Sequence, residues 1–272
     1  MKRIYNAEPT GVEFHADETS FVRGVMGPIG SGKSVMCVQE IIHRAAIQRP
    51  DATKTRKTRW AIIRNTYPEL ISTTIKTWAD WLPESVCPIT YAAPINGRFR
   101  QILGDGTRID CEVLFLALDL PKDVKKLLSL ELTGAWVNEA RELDKSIIDT
   151  VTSRVGRYPA KMDGGPSWSG VLLDTNPPDS DHWWYALAEE DRPEGWRFFR
   201  QPGAVIKLDD GKYIENPAAE NVSNQPLGHQ YWMRQLAGKD GEWIKVYLMG
   251  EYGSVMDGKP IYAGSWSDAL HV

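Results

Sequence analysis

The sequence predicts an α/β fold, in which a mainly parallel sheet carries helices on both faces. Apolar segments typical of strands alternate with helical segments between residues 21 and 176, and this order favours parallel strands joined by crossover helices. A glycine-rich loop lies between the first strand and the first helix, at Gly27-Pro28-Ile29-Gly30-Ser31-Gly32-Lys33-Ser34. In sheets of this class ligands bind at the carboxyl ends of the strands, where such a loop lies.

The composition limits the function classes. A length of 272 residues suits one large domain with or without a small appendage. The net charge of −4 argues against a broadly basic nucleic-acid-binding surface, but not against a local basic groove. The sequence shows neither a long apolar run nor a signal-peptide core, so we expect a cytosolic protein without membrane contact. The widely spaced Cys37, Cys87 and Cys111 are predicted to be buried free thiols.

The loop fits the phosphate-binding pattern G-x-x-x-x-G-K-[ST]. Its glycines let backbone N–H groups surround a polyphosphate, Lys33 can reach the β- and γ-phosphates, and the Ser34 hydroxyl can bind Mg²⁺. Residues 21–26 are predicted to form the strand before it. The helix predicted at 35–48 would direct its positive N-terminal end at the phosphates. The sequence therefore predicts a nucleoside triphosphate site.

The remaining elements follow from periodicity and turn residues. Residues 50–58 are predicted to be a polar, basic loop. Turns are expected at Asn96-Gly97 and Gly104-Asp105-Gly106. Strands are predicted at 60–64, 89–91, 98–102, 111–116, 134–138 and 170–174. Helices are predicted at 67–81, 120–128, 144–153, 181–190, 227–237 and 241–249.

Three regions are predicted along the chain. Residues 1–178 form the core domain. After Pro177-Pro178 the sequence becomes rich in Trp, Tyr, Gly and Pro, and 179–257 is predicted to be a small lid subdomain. Residues 258–272 are predicted to be a linker.

An NTPase of this type needs an acidic residue at the end of a neighbouring strand to hold Mg²⁺, and a carboxylate that polarises water. Three strand ends compete, at Asp119, at Asn138-Glu139 and at Asp174. We favour the second, with Glu139 as general base and Asn138 holding a Mg²⁺-bound water through its carbonyl oxygen. Asn in place of Asp weakens that assignment, and Asp119 offers a compensating carboxylate. Alternatively, Glu139 is an exposed residue that begins a helix.

Thr175 and Asn176 end the last of these strands and are candidates for sensing the γ-phosphate. The alternative is a simple turn before Pro177-Pro178.

Taken in order, these motifs resemble the ATPase domain of the large terminase subunit of tailed bacteriophages, the motor that packages DNA. The resemblance covers about residues 20–262. The motifs that carry it are the glycine-rich loop, Ile63-Arg64-Asn65-Thr66-Tyr67, Trp136-Val137-Asn138-Glu139-Ala140-Arg141-Glu142, Arg154-Val155-Gly156-Arg157-Tyr158-Pro159 and Asp174-Thr175-Asn176-Pro177-Pro178.

The resemblance implies a P-loop fold with an added catalytic-glutamate strand and a lid. It implies ATP and Mg²⁺ as cofactors, Lys33 and Ser34 as Walker A residues, Glu139 as the catalytic glutamate and Thr175-Asn176 as the coupling motif. It also implies translocation of double-stranded DNA into a procapsid, with a portal protein and a small terminase subunit as partners. The expected assembly is a homo-oligomeric ring docked on the procapsid in the host cytoplasm, with a monomer in isolation. Because the chain ends where a nuclease domain is expected, we expect no nuclease activity from it.

Basic residues supply the remaining candidates. Arg154 and Arg157 are predicted to act in a neighbouring subunit's site, whereas Arg64 could sense phosphate in its own site and Arg23 is a weaker candidate. Two basic runs are candidates for DNA contact, with solvated surface charge as the alternative. The runs are Lys54, Arg56, Lys57 and Arg59, and Lys122, Lys125 and Lys126.

Other functions remain open from the sequence alone. A helicase-like ATPase or a small-molecule kinase shares the loop, and a nucleotide-binding module with weak hydrolysis is compatible with Asn138. For the nucleotide base, Phe14 or Phe21 upstream of the loop is a hypothesis only.

Overall fold

The computed structural model describes residues 4–118 and 123–253. Its centre is an eight-stranded sheet with the strand order β3-β4-β5-β2-β6-β7-β1-β8. The strands β2, β6, β7, β1 and β8 run parallel to one another and β5 is parallel to β2, whereas β3 and β4 add an antiparallel edge. The eight strands are β1 Val22–Met26, β2 Thr55–Arg64, β3 Ile89–Thr90, β4 Asn96–Ile102, β5 Arg108–Ala117, β6 Gly134–Asn138, β7 Gly170–Thr175 and β8 Trp196–Arg200. The predicted α/β fold class is confirmed.

Helices cover both faces of this sheet. The longer helices are α1 Pro9–Ala16, α2 Lys33–Ile47, α4 Lys76–Trp81, α6 Lys145–Thr152 and α9 Gly241–Tyr247. The short ones are α3 Tyr67–Glu69, α5 Val124–Leu127, α7 Trp183–Tyr185 and α8 Gln230–Met233. A small antiparallel pair, β9 Val205–Lys207 and β10 Tyr213–Glu215, lies outside the main sheet.

Burial on both faces explains why the central strands are continuous apolar runs. Every residue of β1, β6 and β7 is buried, as expected for parallel strands covered by helices on two sides. One core joins α2 and α4 to the sheet and contains Ile41, Trp60 and Trp78. The second core, on the opposite face, contains Ile148 of α6 and Trp184 of α7.

Several elements differ from the sequence prediction. Strand β2 begins at Thr55, so residues 55–58 at the end of the predicted basic loop belong to a strand. The predicted helix at 67–81 contains π-helical turns over Leu70–Ile75. Asn96 begins β4 rather than forming a turn, whereas the Gly104-Asp105-Gly106 turn does join β4 to β5, with Leu103 N–H donating to Thr107 O. Sequence patterns also missed the helix α1.

The region predicted as a separate lid contributes to the main sheet. Strand β8 pairs in parallel with β1, with Phe198 opposite Gly24 and Arg200 opposite Met26. The following residues form a third apolar cluster that contains Val205, Trp232 and Leu248. The predicted boundary at residue 178 therefore does not separate the sheet from the rest, and the predicted linker 258–272 lies outside the described residues.

The predicted free thiols are confirmed, because Cys37, Cys87 and Cys111 are all buried and unpaired with one another. Among residues 4–118 and 123–253, no helix has the length and apolar character needed to cross a membrane.

A buried ionic cluster connects β1 with α1 and α2. Glu40 Oε1 accepts hydrogen bonds from Arg23 Nη2 and Arg44 Nε, each at 2.6 Å, and Glu40 Oε2 lies 2.6 Å from His15 Nδ1. Arg23 and Arg44 also stack on the Trp168 ring. Although burial alone would raise the pKa of Glu40, its hydrogen bond to His15 and the charges of Arg23 and Arg44 lower that pKa to about 2. Arg23, a weak candidate for phosphate contact, is thus committed to this cluster.

We expect Glu40→Gln to lower the free energy of unfolding by about 3–5 kcal/mol at neutral pH, because it leaves buried guanidinium groups without their carboxylate. The pKa of Glu40 is depressed in the folded state from 4.5 to about 2. Its ionised form therefore contributes stability above about pH 4.5, and this contribution is lost as the pH falls toward 2. Urea unfolding should show that the difference in the free energy of unfolding between the wild type and the variant shrinks by roughly 2 kcal/mol between about pH 7 and pH 3.

The control is Glu13→Gln, which removes an exposed ion pair with Arg197 at 3.3 Å. That change should cost less than about 1 kcal/mol at either pH. If the loss of unfolding free energy in Glu40→Gln does not change with pH, the ionised Glu40 carboxylate is not what stabilises the cluster.

Candidate nucleotide site

The site lies at the carboxyl ends of β1, β7 and β6, which are neighbours in the sheet. The glycine-rich loop leaves β1 and enters α2. Gly30 and Gly32 adopt left-handed φ angles of +71° and +87°, which glycine adopts without steric cost. The fold thus places the loop directly before the N-terminus of a 15-residue helix, as an anion site requires.

The Lys33 ammonium group lies inside the loop. Its Nζ donates to Pro28 O at 2.7 Å, to Gly27 O at 3.0 Å and to Asn176 Oδ1 at 3.1 Å. Burial lowers the pKa of Lys33, while the Glu139 and Asp174 carboxylates oppose this shift. The lysine is therefore held between the loop and the end of β7.

Ser34, Asn138 and Asp174 form a second polar group beside the lysine. Ser34 Oγ donates to Asp174 Oδ2 at 2.7 Å. Asn138 Nδ2 donates to the two Asp174 oxygens at 3.0 and 3.1 Å and to Ser34 Oγ at 3.2 Å. The hydroxyl and the carboxylate are hard oxygen donors, the kind that Mg²⁺ prefers.

The orientation of Asn138 differs from the sequence prediction. Its carbonyl oxygen, which we expected to hold a metal-bound water, accepts a hydrogen bond from Thr74 Oγ1 at 2.7 Å. A carboxylate can only accept hydrogen bonds, so Asp174 requires the amide nitrogen of Asn138 on its side. Asn138 therefore orients Asp174 rather than presenting an oxygen beside Ser34.

Asp174 is fully buried at the end of β7. Burial and the nearby Glu139 carboxylate raise its pKa, and hydrogen bonds from Asn138, Ser34 and Trp136 oppose the rise. The Trp136 indole donates to Asp174 Oδ1 at 2.7 Å. Asp119, the other acidic candidate, lies outside the described residues.

Glu139 follows β6 and lines the loop cavity together with Lys33 and Asn176. It has a left-handed φ of +51°, an uncommon and costly conformation for a residue with a side chain. The Asn176 N–H lies 3.4 Å from Glu139 Oε2. The structure thus brings together the predicted base, the predicted lysine and one residue of the predicted coupling motif.

The two residues of the predicted coupling motif occupy different environments. Asn176 faces the cavity and contacts both Lys33 and Glu139. Thr175 is fully buried, and its hydroxyl donates to Asn176 O at 2.9 Å. Arg141, which sequence reasoning did not assign, donates to Pro177 O at 3.0 Å and to the Tyr247 hydroxyl at 2.8 Å, so it holds the turn after Asn176.

The predicted arginines occupy two different places. Arg64, at the end of β2, is buried beside the end of β6, where its Nη1 lies 3.5 Å from Asn138 O and 3.0 Å from Glu142 Oε2. Arg154 donates to Leu128 O at 2.8 Å, and Arg157 is exposed, with its N–H bonded to Leu132 O. Leu132 precedes β6, whereas Glu139 follows it, so these two arginines lie at the opposite edge of the sheet, about 20 Å away at 3.3 Å per residue.

The carboxyl-terminal region braces the loop from outside, which local sequence patterns could not reveal. Gln201, at the end of β8, accepts from Ser31 Oγ at 2.6 Å and donates to Ser31 O at 3.0 Å and to Glu220 Oε2 at 2.9 Å. Asn221 and Gln225 donate to Gly30 O at 2.7 and 2.6 Å. These partners satisfy the outer carbonyl groups of the loop and fix its shape.

Two adjoining cavities open on the loop and share Ser31, Gly32 and Val35. The one of about 320 Å³ contains Lys33, Glu139 and Asn176. The one of about 460 Å³ is lined by Tyr5, Trp81 and Asn224, among others. The Tyr5 hydroxyl lies 2.9 Å from His15 Nε2, so the cavity wall connects to the ionic cluster around Glu40.

The phenylalanines proposed for base contact do not line this second cavity. Phe14 is fully buried against Phe199, and Phe21 precedes β1 at the opposite edge of the sheet. Tyr5 and Trp81, with ring centroids 6.1 Å apart, line it instead.

The first basic run is largely engaged in ion pairs. Arg56 pairs with Asp105 at 2.6 Å and Lys57 pairs with Asp51 at 2.9 Å. Arg59 pairs with Glu112 at 2.7 Å. In the second run, Lys126 pairs with Asp123 at 2.9 Å, and Lys122 lies outside the described residues. These contacts favour surface charge pairing over free phosphate contacts for the first run and for Lys126.

Solved structures share this architecture. The large terminase of a thermophilic bacteriophage, solved in complex with ADP, superposes with a TM-score of 0.65 at 12% identity, covering 91% of this chain and 54% of that one. The HK97 bacteriophage large terminase superposes with a TM-score of 0.60 at 10% identity, covering 91% of this chain and 51% of that one. The chain has the fold of a large terminase ATPase domain.

The ATPase domain of the Thermus phage P74-26 large terminase gives a TM-score of 0.51 at 13% identity, covering 91% of this chain and 94% of that domain. The chain spans about half the length of the thermophilic-phage and HK97 terminases it matches. At the level of sequence, neither a family model nor a curated protein matches it.

We expect Gln201→Leu to destabilise this terminase fold by about 2 kcal/mol or more, because buried groups of Ser31 and Glu220 lose their partner. Urea unfolding measures the loss, and amide hydrogen exchange should show faster opening of residues 27–34. Gln235→Leu, which removes one bond to Tyr231 O, is the matched control. Equal effects of the two changes, or unaltered exchange in the loop, would contradict the bracing role.

Proposed function

We propose that this chain is an ATPase that hydrolyses ATP to ADP and phosphate in a DNA-packaging motor. The observation that carries the proposal is the convergence of Lys33, Asn176 and Glu139 at the glycine-rich loop. Three residues predicted separately from the sequence lie in one cavity at the carboxyl edge of the sheet. The terminase fold supports the same assignment, and the thermophilic-phage terminase has been solved with ADP and with ATP-γ-S.

The two adjoining cavities suit the two ends of a nucleotide. The phosphates would lie against the loop amides and Lys33, and the base would enter the larger cavity, whose wall includes Tyr5 and Trp81. Carbonyl groups of the loop are occupied by Gln201, Asn221 and Gln225. The Ile29 N–H donates to Tyr247 O at 2.9 Å, so the loop N–H groups from Gly30 onward would face the phosphates.

The chemistry follows from the positions of the side chains. A water attacks the γ-phosphorus, the bond from that phosphorus to the β–γ bridging oxygen breaks, and Glu139 accepts the proton of the water. Lys33 stabilises the charge that develops on the transferred group. Asn176, which contacts both Lys33 and Glu139, transmits the loss of the γ-phosphate to β7. When bound, Mg²⁺ supplies charge neutralisation on the β- and γ-phosphates, and Ser34 is placed to hold it.

As a motor, the chain would drive double-stranded DNA into a procapsid as a homo-oligomeric ring, with a portal protein and a small terminase subunit as partners. It would work in the host cytoplasm on the docked procapsid. Arg154 and Arg157 lie about 20 Å from their own site, so an arginine from this edge could act only in the site of a neighbouring subunit. A nucleotide-binding module with weak hydrolysis is the second candidate, favoured by Asn138 at a position that usually carries a carboxylate.

We expect Glu139→Gln to lower the kcat of ATP hydrolysis by about 100-fold or more, the usual contribution of a general base, while the Kd of ATP changes little. Steady-state phosphate release and equilibrium binding measure the two quantities. Glu190→Gln, at an exposed position, is the control and should retain full activity. Unchanged turnover in Glu139→Gln would remove Glu139 from the mechanism, and no turnover in the wild type, with or without duplex DNA, would favour the binding module.

An arginine acting between subunits predicts complementation. Arg157→Ala and Glu139→Gln should each be inactive alone. When the two variants are mixed, the Glu139→Gln subunit offers its intact arginine to the intact site of the Arg157→Ala subunit. ATPase activity should therefore return in proportion to the number of interfaces between unlike subunits. The same mixture with Arg154→Ala decides which arginine acts. Because a monomer is expected in isolation, the mixtures are assayed as rings docked on procapsids, and docked mixtures that stay inactive in both cases exclude the trans role.

A further inference from the structure

We propose that Asp174, at the end of β7, is the carboxylate that serves the Mg²⁺ ion of the bound nucleotide, since position 138 at the end of β6 carries Asn. Asp174 would act as a positioning residue for Ser34 and as a negative charge beside the metal. This inference rests on the nucleotide binding proposed above, and it assigns a residue that the sequence left as one of three competing acids.

The contact with Ser34 gives Asp174 a defined role. Ser34 Oγ donates its proton to Asp174 Oδ2 at 2.7 Å. A hydroxyl that donates in one direction keeps two lone pairs; one accepts from Asn138 Nδ2 at 3.2 Å, and the other is open to a hard cation. Asp174 thus fixes the side chain that the loop motif dedicates to Mg²⁺.

Asp174 is also a buried carboxylate without a direct ion pair among the described residues, although the charge of the Lys33 ammonium group interacts with it. It is fully buried, and in the described part of the chain the hydrogen bonds it accepts come from neutral groups, the Trp136 indole, the Asn138 amide and the Ser34 hydroxyl. Glu40 is equally buried, but it contacts Arg23 and Arg44. Buried charges are normally paired or coordinate a metal, so Asp174 is suited to a cation that arrives with the ligand.

The neighbouring Asn138 explains why the carboxylate lies on β7. Its amide nitrogen donates to the two Asp174 oxygens at 3.0 and 3.1 Å, and these two residues are register partners in the sheet. An aspartate at position 138 would place a second carboxylate at this distance, and two carboxylates so close cannot both stay ionised. One acidic and one amide side chain are therefore compatible here. In this sequence the carboxylate lies on β7 and the amide lies on β6.

The order of strands brings a carboxylate on β7 close to the glycine-rich loop. Strand β7 lies between β6 and β1, so its end is one strand closer to the loop than the end of β6. Neighbouring strands are about 4.8 Å apart. A carboxylate on β7 therefore reaches Ser34 directly. Mg²⁺ sites in nucleotide enzymes need only one or two carboxylates besides the phosphates, and Asp174 with Ser34 fits that requirement.

The test compares the affinity for ATP-γ-S in Mg²⁺ and in EDTA, by fluorescence titration of the full chain. Asp174→Asn should lower the enhancement by Mg²⁺ at least about tenfold, with the affinity in EDTA unchanged. Asp119→Asn is the matched control, since it removes the competing acid, and it should keep the wild-type enhancement. The double variant Asn138→Asp with Asp174→Asn, which moves the carboxylate to β6, should recover part of the enhancement by Mg²⁺.

A second measurement does not depend on the folding of these variants. With Mn²⁺ and ATP-γ-S, electron–nuclear double resonance on protein labelled with ¹³C at aspartate carboxyl groups should show coupling to the metal. That coupling should persist in Asp119→Asn.

Two results would overturn the inference. They are an unaltered Mg²⁺ enhancement in Asp174→Asn and the absence of carboxyl coupling in the wild type. Either leaves the proposed nucleotide binding intact. A wild type that binds no ATP-γ-S in Mg²⁺ or in EDTA would instead remove the proposed function, and this inference with it.

Discussion

The parallel pairing of β7 with β1 on one side and β6 on the other is the constraint on which the site depends. The register sets Thr175 opposite Met26, just before the glycine-rich loop, and Asp174 opposite Asn138. Because side chains alternate between the faces of a strand, a shift of one residue would turn Asp174 away from Ser34. The apolar runs of these strands, buried on both faces, hold that register.

Local patterns in the sequence were sufficient for the fold class and much of the sheet. The loop glycines, the apolar runs of β1, β6 and β7 and the order of strands and helices all reflect short-range requirements. Strand β8 and helix α1 were missed because their local sequences carry no distinctive pattern. Their structure depends on contacts with residues that are distant along the chain. Trp196-Arg197-Phe198-Phe199 in β8 mixes aromatic and charged side chains, and it becomes a strand because β1 offers a free edge beside it.

The site shows the same limit more sharply. Lys33, Glu139 and Asn176 could be singled out by motif, and the structure brings them to one cavity. The position of the Asn138 amide could not be predicted, since it depends on Thr74 and Asp174, which lie 64 and 36 residues away along the chain. Gln201 was missed for a similar reason, because a glutamine after a strand has no distinctive pattern until Ser31 and Glu220 lie against it.

The hydrogen bonds from Tyr5 through His15 to Glu40 link two properties that are usually studied apart. One end of this series of hydrogen bonds lies in the wall of the cavity of about 460 Å³, and the other neutralises the arginines in the interior. A substitution at Tyr5, His15 or Glu40 would therefore disturb the cavity wall and the interior cluster together, so the shape of the cavity and the stability of the core are not independent of each other.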